Sequence, residues 1–293
     1  MSISSKFHVL VMLSFLVAVQ LIALAITPAI SATDNRVFED PASISNPIIY
    51  MLLILIFTAI LLLAIKLKGD WLVRGFIQIS IALTIFYVIS AIMPMWLALL
   101  LTLAVMLLLH YYPEWYILDA FGILVCAAVA SLLGVSMTVM PVIILMVILA
   151  VYDAISVYKT RHMVALAEGA IKMKAPLLFV VPKSRDYSFR RKDAVSISMG
   201  NDKKKGDRGA YFLGMGDAII PSILVISASW SYPPGDILGL NLPALGAMLG
   251  TYAGFILLMT TSRDRPQAGL PFLNSGSILG FLAGCLAAGI QPF

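Results

Sequence analysis

The segment TVMPVIILMVILAVYDAISVY, residues 138–158, contains a single charged side chain, Asp153. A soluble helix of that length keeps a polar face toward water, and this one has none. Its length suits a bilayer, which roughly 20 mostly apolar residues are enough to cross. An aspartate well inside such a helix costs about 2.5–3.5 kcal/mol on insertion scales, so as a rule it faces a partner or a water-filled cavity.

Outward from this segment, similar apolar runs fill most of the chain, at 7–30, 47–65, 75–92, 95–110, 116–134, 210–229, 237–260 and 268–290. Of the 293 residues, 61% are hydrophobic and 12% charged. A soluble domain carries about 25% charged residues. Lipid must therefore be the solvent for much of the surface. The pattern predicts an all-α polytopic membrane protein with nine transmembrane helices. Met93, Pro94 and Met95 alone separate the third and fourth runs. Pro94 suits a tight turn there, with one long kinked helix as the alternative.

The basic residues orient the bundle. With nine spans, Lys6, Lys66, Lys68, Arg74, the thirteen Lys and Arg from Lys159 to Arg208, Arg263 and Arg265 all fall on one side. Arg36 stands alone on the other. The positive-inside rule makes the crowded side cytoplasmic, with the N-terminus cytoplasmic and the C-terminal Phe293 outside. The net charge of +5 thus belongs to a loop beside anionic lipid, and no nucleic-acid partner is expected. The first apolar run exceeds the 7–15 residues of a signal-peptide core and reads as a span.

Three parts follow: a six-helix N-terminal membrane part (1–158), a cytoplasmic basic loop (159–209) and a three-helix C-terminal membrane part (210–293). Within the loop, residues 161–174 read as a surface amphipathic helix. Residues 177–181 form a β-prone run between prolines, and 202–208 read as mobile. Cys126 and Cys285 lie in apolar segments and read as small buried hydrophobes. His8, His110 and His162 are scattered, and HExxH and CxxC are absent, so neither a metal nor a cofactor is expected.

Three aspartates fall inside spans. Asp119 lies about one turn into its span and is expected at the interface. Asp153 lies about five residues before the cytoplasmic end of the sixth span, and Asp217 about seven residues after the start of the seventh. At about 1.5 Å per residue, both sit roughly 8–11 Å below the cytoplasmic edge on antiparallel helices. Two nearby carboxylates do not both ionise cheaply, so the pair holds one shared proton. The ionised member takes a proton from water, while the protonated member polarises a scissile carbonyl and later protonates the leaving amine. The same pair would also serve a proton relay.

Gly214-Met215-Gly216-Asp217 places two glycines before the second aspartate, with Pro221 four residues on. Glycines allow close approach of helix or substrate backbone, although alone they also fit ordinary small-residue packing. Together with Tyr152-Asp153 and Ala268-Gly269-Leu270-Pro271, this ordered triplet resembles the YD, GxGD and PAL motifs of the presenilin and signal peptide peptidase family of intramembrane aspartyl proteases. The resemblance covers the whole nine-span plan. Ala268 and Gly269 stand where the family commonly has proline and alanine.

The resemblance implies that Asp153 and Asp217 are catalytic. It also implies that Tyr152, Gly214, Met215, Gly216, Gly269, Leu270 and Pro271 shape the site or hold substrate. Proline at 271 is expected to leave unwound backbone lining a cavity, with which an extended substrate pairs as an added strand. The expected function is an intramembrane aspartic endopeptidase that hydrolyses peptide bonds in transmembrane segments through an Asp-activated water. The expected partners are transmembrane substrates and the lipid bilayer, and a homo-oligomer is compatible. The predicted orientation is similar to presenilin, and the short external loops resemble a compact microbial homologue in a plasma membrane. The alternative is a proton-coupled membrane transporter or channel that uses the same pair as a relay. A prepilin-type peptidase shares GxGD but lacks the nine spans, the long loop and the third motif.

Overall fold

The structure, a computed structural model, describes residues 3–33, 37–66, 70–160, 178–183, 210–235, 239–261 and 268–292. Among them are nine helices: α1 (Ile3–Ala32), α2 (Ser45–Lys66), α3 (Asp70–Ile92), α4 (Met95–Tyr111), α5 (Trp115–Ser136), α6 (Val139–Ile155), α7 (Met215–Ser231), α8 (Leu242–Thr261) and α9 (Leu270–Ala288). A two-stranded sheet, β1 (Leu178–Pro182) and β2 (Ala210–Gly214), precedes α7. Six helices are long and apolar enough to cross a membrane. The apolar stretches Ser45–Leu61, Met95–Tyr111 and Met215–Ser231 are shorter. The third and fourth spans are separate helices, with Pro94 as the N-cap of α4.

The seventh span differs from its expected boundaries. Residues 210–214 are strand, and α7 begins only at Met215. The Ala-Tyr-Phe-Leu-Gly run is as apolar as a helix start, so hydropathy did not separate the two. It pairs antiparallel with β1, from Leu178 opposite Gly214 to Pro182 opposite Ala210. That partner is the β-prone run expected in the loop. The amphipathic helix at 161–174 and the mobile stretch at 202–208 lie outside the described residues.

Helices α5, α6, α7 and α9, with α1 against them, form the centre. Leu145, Met146, Ile223, Leu224 and Phe281 are fully buried there. Helices α2, α3 and α4 lie at the periphery and turn Leu52, Ile56, Leu83, Leu99 and Leu103 outward. So broad an apolar surface requires lipid. Between helices in lipid, packing and hydrogen bonds replace the hydrophobic drive. Gly246, Gly250 and Gly254 of α8 meet Gly284, Gly280 and the Phe272–Gly276 turn of α9 backbone to backbone, leaving no room for a β-carbon. Thr27 of α1 and Ser131 of α5 share a buried hydrogen bond of 2.8 Å. Ser227 of α7 donates to the Met137 carbonyl at 2.8 Å. Asn241 accepts from the Ala244 amide and so caps α8, while its amide group donates to the Ala228 carbonyl at the end of α7. Cys126 and Cys285 are free and buried.

Candidate active site

Asp153 lies in the last turn of α6, two residues before its end at Ile155. It is 5% exposed, and Val139–Ile155 gives way after it to a π-helical turn, Ser156–Thr160. The Ser156 hydroxyl donates to the Asp153 carbonyl at 2.9 Å. Such turns place a side chain off the ordinary helical register and recur at functional sites. Tyr152 precedes Asp153 on the same helix and is partly buried.

Asp217 enters from α7. Gly214 is both the last residue of β2 and the N-cap of α7. Asp217 is therefore the third helical residue, in the first turn rather than two turns deep. A carboxylate there is favoured by the positive end of the helix dipole, about 0.3–1 kcal/mol where exposed. It folds back over Gly214, where a β-carbon would lie 3.2 Å from Oδ2. Pro221 has no amide hydrogen, so the Asp217 carbonyl lacks its usual helical donor. Gly216 borders open space, whereas Met215 is buried beneath α5.

The third element is the start of α9. Gly269 is its N-cap and Pro271 lies in its first turn, where proline sacrifices no helical hydrogen bond. This corrects the expectation of unwinding at Pro271, because Gly269 already has helical dihedrals (φ −78°, ψ −43°) and the chain is regular helix from Leu270 on. The unpaired amide at this helix end is directed at Asp153: Leu270 N–H donates to its Oδ2 at 3.2 Å. Asp217 lies against the other side of Gly269, whose β-carbon, if present, would come 2.7 Å from Oδ2 and 3.1 Å from Oδ1. Two carboxylates from α6 and α7 thus meet on one dipeptide, Gly269-Leu270. Pro271 is half-buried beside it.

Two further polar residues support this centre. Asn274, one turn beyond Leu270, donates from Nδ2 to the Met146 carbonyl of α6 at 2.9 Å. Its spacing of four from Leu270 was the available signal. Asp119 does not reach the interface as expected: it is 3% exposed, and its Oδ1 accepts the Val180 amide of β1 at 2.9 Å. The sheet covers the end of α5 that hydropathy left open to water. Among the described residues, no group of three or more His, Cys, Asp and Glu is arranged to hold a metal ion.

Residues 13–290 match the family model described as signal-peptide peptidase, presenilin aspartyl protease. A solved presenilin family intramembrane aspartate protease, in a C222 crystal form, is 35% identical with a TM-score of 0.68. The match covers 95% of this chain and 97% of that one. A structure with the same description in a P2 form is 34% identical over 94% of this chain and 96% of that one, with a TM-score of 0.67. No curated protein matches the chain. The transporter reading finds no support in these relatives. The chain belongs to the signal-peptide peptidase and presenilin family of aspartyl proteases, and its activity is that of an intramembrane aspartic endopeptidase.

Proposed function

We propose that Asp153 and Asp217 are the catalytic pair, acting on transmembrane segments that unwind locally near the cytoplasmic face. The observation that carries this is the convergence of both carboxylates on Gly269-Leu270, Asp153 hydrogen-bonded to the Leu270 amide and Asp217 packed against Gly269. Two carboxylates this close share one proton, and their protonation belongs to the pair rather than to either residue.

The ionised carboxylate removes a proton from a water, whose oxygen attacks the scissile carbonyl carbon. The protonated carboxylate delivers its proton to the carbonyl oxygen, giving a neutral gem-diol. Collapse breaks the C–N bond, with one proton passing to the departing nitrogen and one back to the pair. The Leu270 amide holds Asp153 in place without reorganising during the reaction.

Tyr152, Gly214, Met215, Gly216, Gly269, Leu270 and Pro271 shape the cleft. Gly216 faces open space beside Asp217 and leaves room for an extended substrate backbone. The nine helices are read as nine spans with a cytoplasmic N-terminus and an external C-terminus, so the pair opens toward the cytoplasm of a microbial cell. We read the chain as three parts, 1–158, 159–209 and 210–293, the third of which opens on the strand Ala210–Gly214.

The test is incubation of purified protein in detergent with a transmembrane peptide, followed by mass spectrometry of the products. Asp153→Ala and Asp217→Ala should each stop cleavage and leave the fold intact. Robust cleavage by either folded variant would sink the assignment.

A further inference from the structure

Asp119 is a carboxylate buried in the bundle that the reaction above does not use. Its Oδ1 accepts the Val180 amide at 2.9 Å, and its Oδ2 has no hydrogen-bond partner among the described residues. Val180 stands opposite Phe212 in the sheet, and its amide points away from β2 toward α5. The contact is therefore made by the outer edge of the hairpin.

Asp119 is one of three residues on one face of α5 that touch this region. Gly122 lies one turn on, where a β-carbon would overlap the Met215 side chain and come 3.3 Å from the Phe179 ring. Cys126, a further turn on, directs its thiol at the Met215 carbonyl at 3.8 Å. Spacings of three and seven residues put all three on one stripe. The stripe thus grips β1 through Phe179 and Val180 and α7 through Met215. β2 runs into α7 without a linking residue, and Asp217 follows Met215 by two positions. Whatever fixes the hairpin and Met215 also fixes the first turn of α7.

We propose that Asp119 is a positioning residue for the protease reaction: through Val180 it holds the β1–β2 hairpin on α5, and so sets where α7 presents Asp217 to Asp153. This rests on the reading of Asp153 and Asp217 as the catalytic pair. Asp119 reaches neither substrate nor the reacting atoms. Its effect is on alignment, and small misalignment of a reacting group is expensive in rate: about 1 Å of misplacement can cost roughly 100-fold.

The experiment measures kcat and KM for a transmembrane peptide, and the melting temperature in detergent, on the full chain. Asp119→Ala should lower kcat about 10- to 100-fold with KM little changed. Asp119→Asn, which keeps an oxygen acceptor for Val180 N–H, should recover most of that rate. Gly122→Ala favours the helix but presses on Met215, and should lower kcat while the melting temperature holds. Wild-type kcat in a folded Asp119→Ala protein overturns the proposal, as does Asp119→Asn as slow as Asp119→Ala. Where Asp119→Ala does not fold, Gly122→Ala decides: a lower kcat at unchanged KM supports the proposal, and wild-type kcat overturns it. Cleavage by an Asp217→Ala control would instead strike the reading of the catalytic pair, whatever the Asp119 variants do.

Discussion

The carboxylate of Asp217 rests on the α-carbon of Gly269, so close that a β-carbon there would lie 2.7 Å from Oδ2 and 2.9 Å from Cγ. Real β-carbons essentially never approach so near, so any larger residue must move the carboxylate. Gly269 is also where the sequence departs from the alanine common in the family. Gly269→Val should displace Asp217 by an ångström or more and lower kcat by about 100-fold. Gly269→Ala, with one methyl group, should have the same sign and a smaller size. Peptide-cleavage kinetics on folded variants check this, and an unchanged kcat in Gly269→Val would refute it.

Asn274 ties α9 to α6 at the level of Met146, two turns from Asp153. Interhelical hydrogen bonds of this kind average about 0.6 kcal/mol and reach about 1.7. Asn274→Ala should destabilise the protein within that range and let Leu270 drift from Asp153. The measurement is unfolding in detergent alongside kcat, and Asn274→Leu should behave alike because the amide is what matters.

Gly250 of α8 and Gly280 of α9 pack backbone to backbone. Gly280→Leu has no space to expand into and should force the two helices apart. Overpacking typically costs about 1–3 kcal/mol, occasionally more. Stability and activity should fall together, because α9 carries the dipeptide on which both carboxylates converge. A variant with wild-type stability would show that the helices separate freely.

A pair that shares one proton is active only in its singly protonated form. The rate should therefore follow a bell-shaped pH profile with two apparent values that belong to the pair. It should fall at low pH, where both carboxylates are protonated and no base remains. It should fall at high pH, where both are ionised and no acid remains. A rate that rises to a plateau without a second limb would argue against shared-proton catalysis.

The proposed orientation has its own check. A single cysteine placed among residues 184–209, in a variant lacking Cys126 and Cys285, should react with an impermeant thiol reagent only from the cytoplasmic side of sealed vesicles. Labelling from the outside alone would invert the topology and move the cleft to the other face.

Composition and hydropathy by themselves determined that this chain is a helical membrane protein, because twenty apolar residues with one charge admit few other solutions. Spacing along the chain placed Tyr152-Asp153, Gly214-Met215-Gly216-Asp217 and Leu270-Pro271 on three different helices, and the family comparisons bear out the protease reading. The boundary at Met215 was not legible, because Ala210–Gly214 is equally apolar as strand or helix and only its pairing with β1 decides. Tertiary structure also decided the fate of Asp119, which hydropathy left at a water interface until the hairpin covered it. It decided as well that the two aspartates meet at the Leu270 amide and the α-carbon of Gly269. Backbone donors carry no side-chain signature, so the group that gathers the pair is silent in the sequence and appears only when α6, α7 and α9 are packed together.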